Sequence, residues 1–131
     1  MTSVPSGPSM LRAYAPAVLW ALAIFVASSI PSNAMPRSII LSQDKLLHMG
    51  VYAVLGFVLY RGFRRGQDWR WEIAGWVTFG VGVLYGASDE FHQHFVPGRS
   101  MDVYDLLADA VGVACAIGVA RYLERRRTRP A

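Results

Sequence analysis

Apolar residues fill four stretches of the chain, Ala13 to Ile30, Leu46 to Phe63, Trp71 to Ser88 and Val103 to Tyr122, and the charged residues fall almost entirely between them or at the ends. Each stretch runs for roughly 18–20 residues, enough for a helix to cross a hydrocarbon core of about 30 Å. The pattern predicts an all-α fold, a four-helix transmembrane bundle. The second and fourth stretches carry polar residues at one end, so their purely apolar cores are shorter than their full spans.

Composition agrees with the pattern. At 131 residues, 53% of them hydrophobic, the chain is too apolar for an ordinary soluble domain and too short for two domains. Residues 1–11 have a Ser/Pro/Gly-rich start that reads as a disordered tail, residues 12–122 form the membrane domain, and residues 123–131 form a basic cytoplasmic tail. A cleaved signal peptide competes for the first stretch, because Arg12 precedes it and the small residues Ser32 and Ala34 follow it. A lone positive charge and a long apolar run argue against cleavage.

Charge sets the orientation. With both termini cytoplasmic, the inner segments hold Arg12, then Arg61, Arg64, Arg65 and Arg70, then Arg121, Arg125, Arg126, Arg127 and Arg129, leaving only Arg37, Lys45 and Arg99 outside. That asymmetry over short loops is a positive-inside signal. The net charge of +4 therefore anchors topology and favours anionic inner-leaflet lipid; it does not indicate nucleic acid.

Polar side chains converge at the outer end. Asp44, His48 and Tyr52 follow an i, i+4, i+8 spacing; Tyr85, Ser88, Asp89 and His92 share a face if the third helix continues that far; Asp102, Asp105 and Asp109 fall at i, i+3 and i+7. Asp105 and Asp109, inside the start of an apolar helix, should turn inward to Arg99, Lys45 or a histidine. Asp44, Asp89, Glu90, Asp102, Asp105 and Asp109, six of the nine acidic residues, gather here with all three histidines and the only lysine, Lys45.

Such a mixture is open to several chemistries. Carboxylates paired with histidine run acid/base steps, the same groups hold divalent metals, and Lys or Arg beside them clamps phosphate. Spacing alone selects none of these, so no metal ligand is assigned and the cofactor is unknown. The competing reading is structural: an interhelical network, with Asp102 or Asp105 capping the fourth helix, Asp44 capping the second, Pro97-Gly98 making a turn and His94 solvated. The single Cys115 excludes a disulfide within the chain. Small residues at Gly75, Gly82 and Gly86, and at Ala108, Gly112 and Ala116, are expected to bring the third and fourth helices together.

The run Asp44-Lys45-Leu-Leu-His48 before a helix containing Tyr52, Tyr85-Gly86-Ala-Ser88-Asp89-Glu90-Phe91-His92-Gln93 leading into Pro97-Gly98-Arg99, and then Asp102, Asp105, Asp109 and Gly112 closely resembles the VanZ-like family of small bacterial membrane proteins. The resemblance covers roughly residues 12 to 121. It implies a multi-pass protein of the bacterial cytoplasmic membrane, in a family whose namesake is associated with low-level resistance to the glycopeptide teicoplanin.

Two functional readings follow. In the first, the outer cluster binds or processes an anionic envelope lipid or polyprenyl-phosphate-linked wall precursor, with Asp89, His92, Asp109, Asp105 and His48 as catalytic candidates. Lys45 and Arg99 then clamp the phosphate, and Tyr52, Tyr85, Glu90, Gln93, Asp44 and Asp102 complete the binding set. In the second, a non-catalytic bundle binds lipid or a partner protein and the polar cluster is its internal fastening. A proton-coupled transporter is a weaker third option, because four helices leave little room for a pathway without oligomerisation.

Overall fold

The computed structural model describes residues 7–35 and 44–128, with side chains described for residues 10–35 and 45–128. Four α-helices, α1 (Gly7–Ser28), α2 (Asp44–Gly66), α3 (Trp71–Gln93) and α4 (Val103–Arg127), with a short 3-10 turn at Ser32–Ala34, make up all the regular structure of the described residues. Helix α1 begins at Gly7, within the stretch expected to be a tail, and α4 runs on through Arg127, past the expected boundary at Tyr122. Arg37, Arg129 and the side chain of Asp44 lie outside the described residues.

Local chemistry explains the helix ends. Asp102 is the N-cap of α4, its carboxylate accepting from the Tyr104 amide at 2.8 Å. Asp105 in the first turn and Arg125, Arg126 and Arg127 in the last complement the helix dipole. Helix α2 closes with Arg64 and Arg65 in its last turn, and the chain then turns at Asp68, which has a φ of 52°, a conformation that aspartate tolerates better than most residues. Pro16 interrupts the hydrogen bonding of α1 from inside.

Three helices contain segments long and apolar enough to cross a membrane: Met10–Ser28, Lys45–Gly66 and Val103–Arg127. Helix α3 has the length, but Thr78 and the glycines at 75, 80, 82 and 86 dilute its apolar run, and Asp89 and Glu90 end it.

The bundle is apolar outside and partly polar within. Leu22, Leu46, Trp76, Leu84, Leu107 and Val119 are exposed, whereas Asp89, Glu90, Gln93, Asp105 and Asp109 are buried. A folded water-soluble surface does not carry so much exposed apolar area; a lipid-facing one does.

Helix α2 is the hub. It packs most extensively on α4 and next on α1, and the core joins Tyr52 and Leu55 of α2 to Val113 of α4 and Ile24 of α1. The expectation for the small residues changes in one respect. Gly82 faces Val113 and Gly86 faces Asp109, so α3 does meet α4 through its glycines. Gly112, however, faces α2: a Cβ there would stand 2.2 Å from the Met49 carbonyl oxygen, and one at Gly56 would stand 3.0 Å from the Val113 Cα. The closest backbone approach therefore joins α2 to α4, the pair that carries most of the polar cluster.

Candidate functional site

At one end of the bundle, α2, α3 and α4 each contribute one polar face. The face of α3 is set by its buried row, Gly82, Gly86, Asp89, Glu90 and Gln93, and α3 continues to Gln93 because its last polar turn is packed against two other helices. On α2, His48 and Tyr52 lie one turn apart and both are buried. On α4, Asp105 and Asp109 are also one turn apart and buried.

The contacts form two neighbouring groups, one joining Lys45, His48, Glu90, Asp102, Asp105 and Asp109 and the other joining Tyr52, Asp89 and Gln93. His48 Nδ1 lies 2.9 Å from Asp109 Oδ1 and 3.9 Å from Glu90 Oε1, and His48 Nε2 lies 3.8 Å from Asp105 Oδ2. Lys45 Nζ donates to Asp105 Oδ1 at 2.9 Å and to Asp102 Oδ2 at 3.1 Å. The Tyr52 hydroxyl and the Gln93 amide both donate to Asp89 Oδ2 at 3.2 Å. The Asp102 amide donates to Glu90 Oε2 at 2.9 Å. Two buried carboxylate oxygens, Glu90 Oε1 and Asp109 Oδ2, have no hydrogen-bond partner.

Asp102 stands at the rim. The Tyr104 amide, and after it the Lys45 ammonium, hold its carboxyl below the usual carboxylate range.

Nine of the residues singled out in the sequence thus meet: Lys45, His48, Tyr52, Asp89, Glu90, Gln93, Asp102, Asp105 and Asp109. The others lie elsewhere. His92 sits on the flank of α3, its Nε2 2.9 Å from Ser29 Oγ and its ring stacked on Phe25 of α1. The Tyr85 hydroxyl donates to the Ala21 carbonyl, and Ser88 is exposed, bonded to the Tyr85 carbonyl. A helix turns 100° per residue, so positions 85, 88 and 92 diverge from the row that 86, 89, 90 and 93 define. Asp44, named as a cap and as a binding residue, has its side chain outside the described residues.

Arg99 reaches these groups only through Gln93 Oε1, at 3.3 Å. Its other donors face the Ala27 and Ile30 carbonyls at 3.3 Å, the C-terminal end of α1, where a cation is favoured by the helix dipole. The preceding turn places it there. The Arg99 amide donates to the Val96 carbonyl at 3.0 Å, with Pro97 first and Gly98 second between them and Gly98 at a φ of 74°, the geometry of a type II turn. Gly98 also touches the 3-10 turn, since a Cβ on it would stand 2.0 Å from Ser32 Oγ.

Between α1, α2 and α3 lies a groove of about 110 Å³. Ile24, Leu47 and Val51 give it apolar walls, and His48, Tyr52, Asp89, Gln93 and Arg99 give it a polar end. Helix α1 has no charged residue in this half and offered no mark of its contribution in the sequence. A second polar knot was also missed. At the opposite end, Glu124 accepts from Tyr60 at 3.0 Å and from Arg64 at 2.9 Å, and only the spacing of one acid among many arginines hinted at it.

No curated protein and no solved structure matches the chain. The sequence profile of the VanZ/LLP1 family matches residues 13–124. That span contains the Asp-Lys-Leu-Leu-His, Asp-Glu-Phe-His-Gln and Pro-Gly-Arg segments that build the polar end, and the chain belongs to the VanZ-like family.

Proposed function

We propose that the protein is a four-span component of the bacterial cytoplasmic membrane, with both termini cytoplasmic, that binds an amphiphile with an anionic headgroup in the groove between α1, α2 and α3. The observation that carries this reading is the groove itself: apolar walls along Ile24, Leu47 and Val51 end on hydrogen-bonding side chains and one cation, Arg99. Such a site suits a prenyl or acyl chain attached to a phosphate, as in polyprenyl-phosphate-linked wall precursors. Altered glycopeptide susceptibility would follow from withdrawal or delivery of such a lipid. Binding is the step the groove supports.

Native mass spectrometry of the detergent-solubilised chain tests it. Polyprenyl phosphate should be retained by the wild type, the neutral polyprenol should not, and Leu47→Trp should abolish retention by filling the groove. Equal retention of polyprenol, or no effect of L47W, would refute a headgroup site there.

One observation favours a second reading, a non-catalytic bundle fastened by its polar end: Lys45, Tyr52 and Gln93 each already donate to a carboxylate within the bundle. Asp89→Asn should then lower abundance and melting temperature, whereas in the binding reading it leaves a folded protein that retains less lipid. Orientation is a separate measurement. With Cys115→Ser as background, Ser100→Cys should react with an impermeant maleimide applied from outside, and a cysteine in the C-terminal tail should not.

A further inference from the structure

Four carboxylates are buried at the polar end, Asp89 at 6% exposure, Glu90 at 2%, Asp105 at 5% and Asp109 at 0%. The cations nearby are committed elsewhere. Lys45 pairs with Asp102 and Asp105, and Arg99 turns to the end of α1. The ion pairs of the described residues give neither Glu90 nor Asp109 a lysine or arginine; only the His48 imidazole stands between them. Removing a carboxylate from water without a compensating charge is among the most expensive steps in folding.

We propose that His48, Glu90 and Asp109 form a binding site for a single divalent transition metal. Three helices each supply one ligand, and one nitrogen or oxygen atom from each of the three lies within 4.8 Å of the others. A tetrahedral ion with bonds of about 2.1 Å holds its ligands roughly 3.4 Å apart, so the widest edge, at most 4.8 Å, closes by no more than about 1.4 Å on binding, a small shift shared among the three side chains.

The unpaired Glu90 Oε1 points at His48 from 3.9 Å, while its twin oxygen is held by the Asp102 amide. That bond fixes the carboxylate with one oxygen presented to the centre. Asp105 Oδ2 lies 3.8 Å from the other imidazole nitrogen, on the side where outer partners of metal-bound histidines sit.

The donor set decides the class of ion. One imidazole with two carboxylates suits zinc or manganese; calcium and magnesium prefer all-oxygen cages. Three protein ligands leave a further position for water or a ligand. His48 also lines the groove, so the ion would convert an acidic pocket end into one attractive to phosphate. That last role rests on the groove reading, but metal binding does not.

The test uses the full chain without a histidine tag, purified in detergent, stripped with EDTA and titrated with zinc or manganese in the absence of lipid. Metal content and melting temperature are read together. One ion per chain is expected, with a raised melting temperature, and Glu90→Gln and His48→Ala should each weaken binding at least 100-fold. His94→Ala, an exposed control, should leave it unchanged.

Asp109→Asn should behave like Glu90→Gln; where it fails to fold, the nearly isosteric Glu90→Gln carries the test. A folded wild type that takes up no stoichiometric metal, or affinity unmoved by E90Q and H48A, would overturn the proposal. Leu47→Trp separates the two readings: metal retained with lipid lost supports this site, and lipid retained by a chain that binds no metal refutes this site alone.

Discussion

The close approach of α2 and α4 at Gly112 makes a sharp forecast for Gly112→Ala. The new Cβ would lie 2.2 Å from the Met49 carbonyl oxygen and 3.0 Å from the Ala53 nitrogen. Both are backbone atoms and neither can swing aside, so the helices must separate by about 1 Å to restore ordinary contact. The same displacement would stretch the His48–Asp109 bond, now 2.9 Å, beyond hydrogen-bonding distance.

Overpacking costs roughly 1–3 kcal/mol, and leaving a buried hydrogen-bonding partner unsatisfied adds about 1–3 kcal/mol. A loss of roughly 2–5 kcal/mol corresponds to a melting temperature lower by about 6 °C or more. Gly118→Ala is the matched control, on the same helix with no atom within 4 Å of its Cβ position. Removing that glycine from a helix interior should stabilise by about 0.5–1 kcal/mol. Thermal unfolding of both variants in one detergent, followed by circular dichroism, is the assay. If Gly112→Ala melts within about 2 °C of the wild type, the two backbones are not in contact and the packing argument fails.

Further outcomes can be stated briefly. Gly98→Ala forces a side chain into a positive φ and against Ser32; it should cost at least about 1 kcal/mol and speed limited proteolysis of the turn. Tyr52→Phe removes a donor from buried Asp89 and should destabilise by about 1–3 kcal/mol in chemical denaturation, with no loss if Asp89 bonds elsewhere. Arg99→Lys cannot span Ala27, Ile30 and Gln93 together, so cysteine accessibility at the C-terminal end of α1 should rise. The folded Asp102 carboxyl lies below its unfolded value. Its contribution is therefore complete above about pH 4 and is lost as pH falls through the folded value; Asp102→Asn should remove that part of the acid-induced loss of stability.

Much of this was legible in residue order, for identifiable reasons. Asp102 before an apolar run is a cap because its carboxylate reaches an amide two residues on, a purely local fact. Asp105 and Asp109 had to face inward because lipid does not solvate a carboxylate, and His48 and Tyr52 shared a stripe by helical periodicity. Those rules need no partner. His92 and Tyr85 failed because their positions lie on the edge of the α3 stripe, where a few tens of degrees decide between the core and α1. Gly112 was matched to the wrong helix because small residues declare that something approaches closely without declaring what. The pairing of α1 with the groove could not be read at all, since its lining there is ordinary apolar sequence.

The order of the polar residues along the chain has a consequence for biogenesis. Lys45 and Asp105 are 60 residues apart, and His48 and Asp109 are 61 apart, with all of α3 between. During synthesis α2 enters the bilayer carrying a lysine and a histidine whose counter-charges have not yet left the ribosome. A chain stalled after α3 should therefore hold the polar end of α2 near the headgroups, and seating of that end should wait for α4, making the last helix the one that completes insertion of the second.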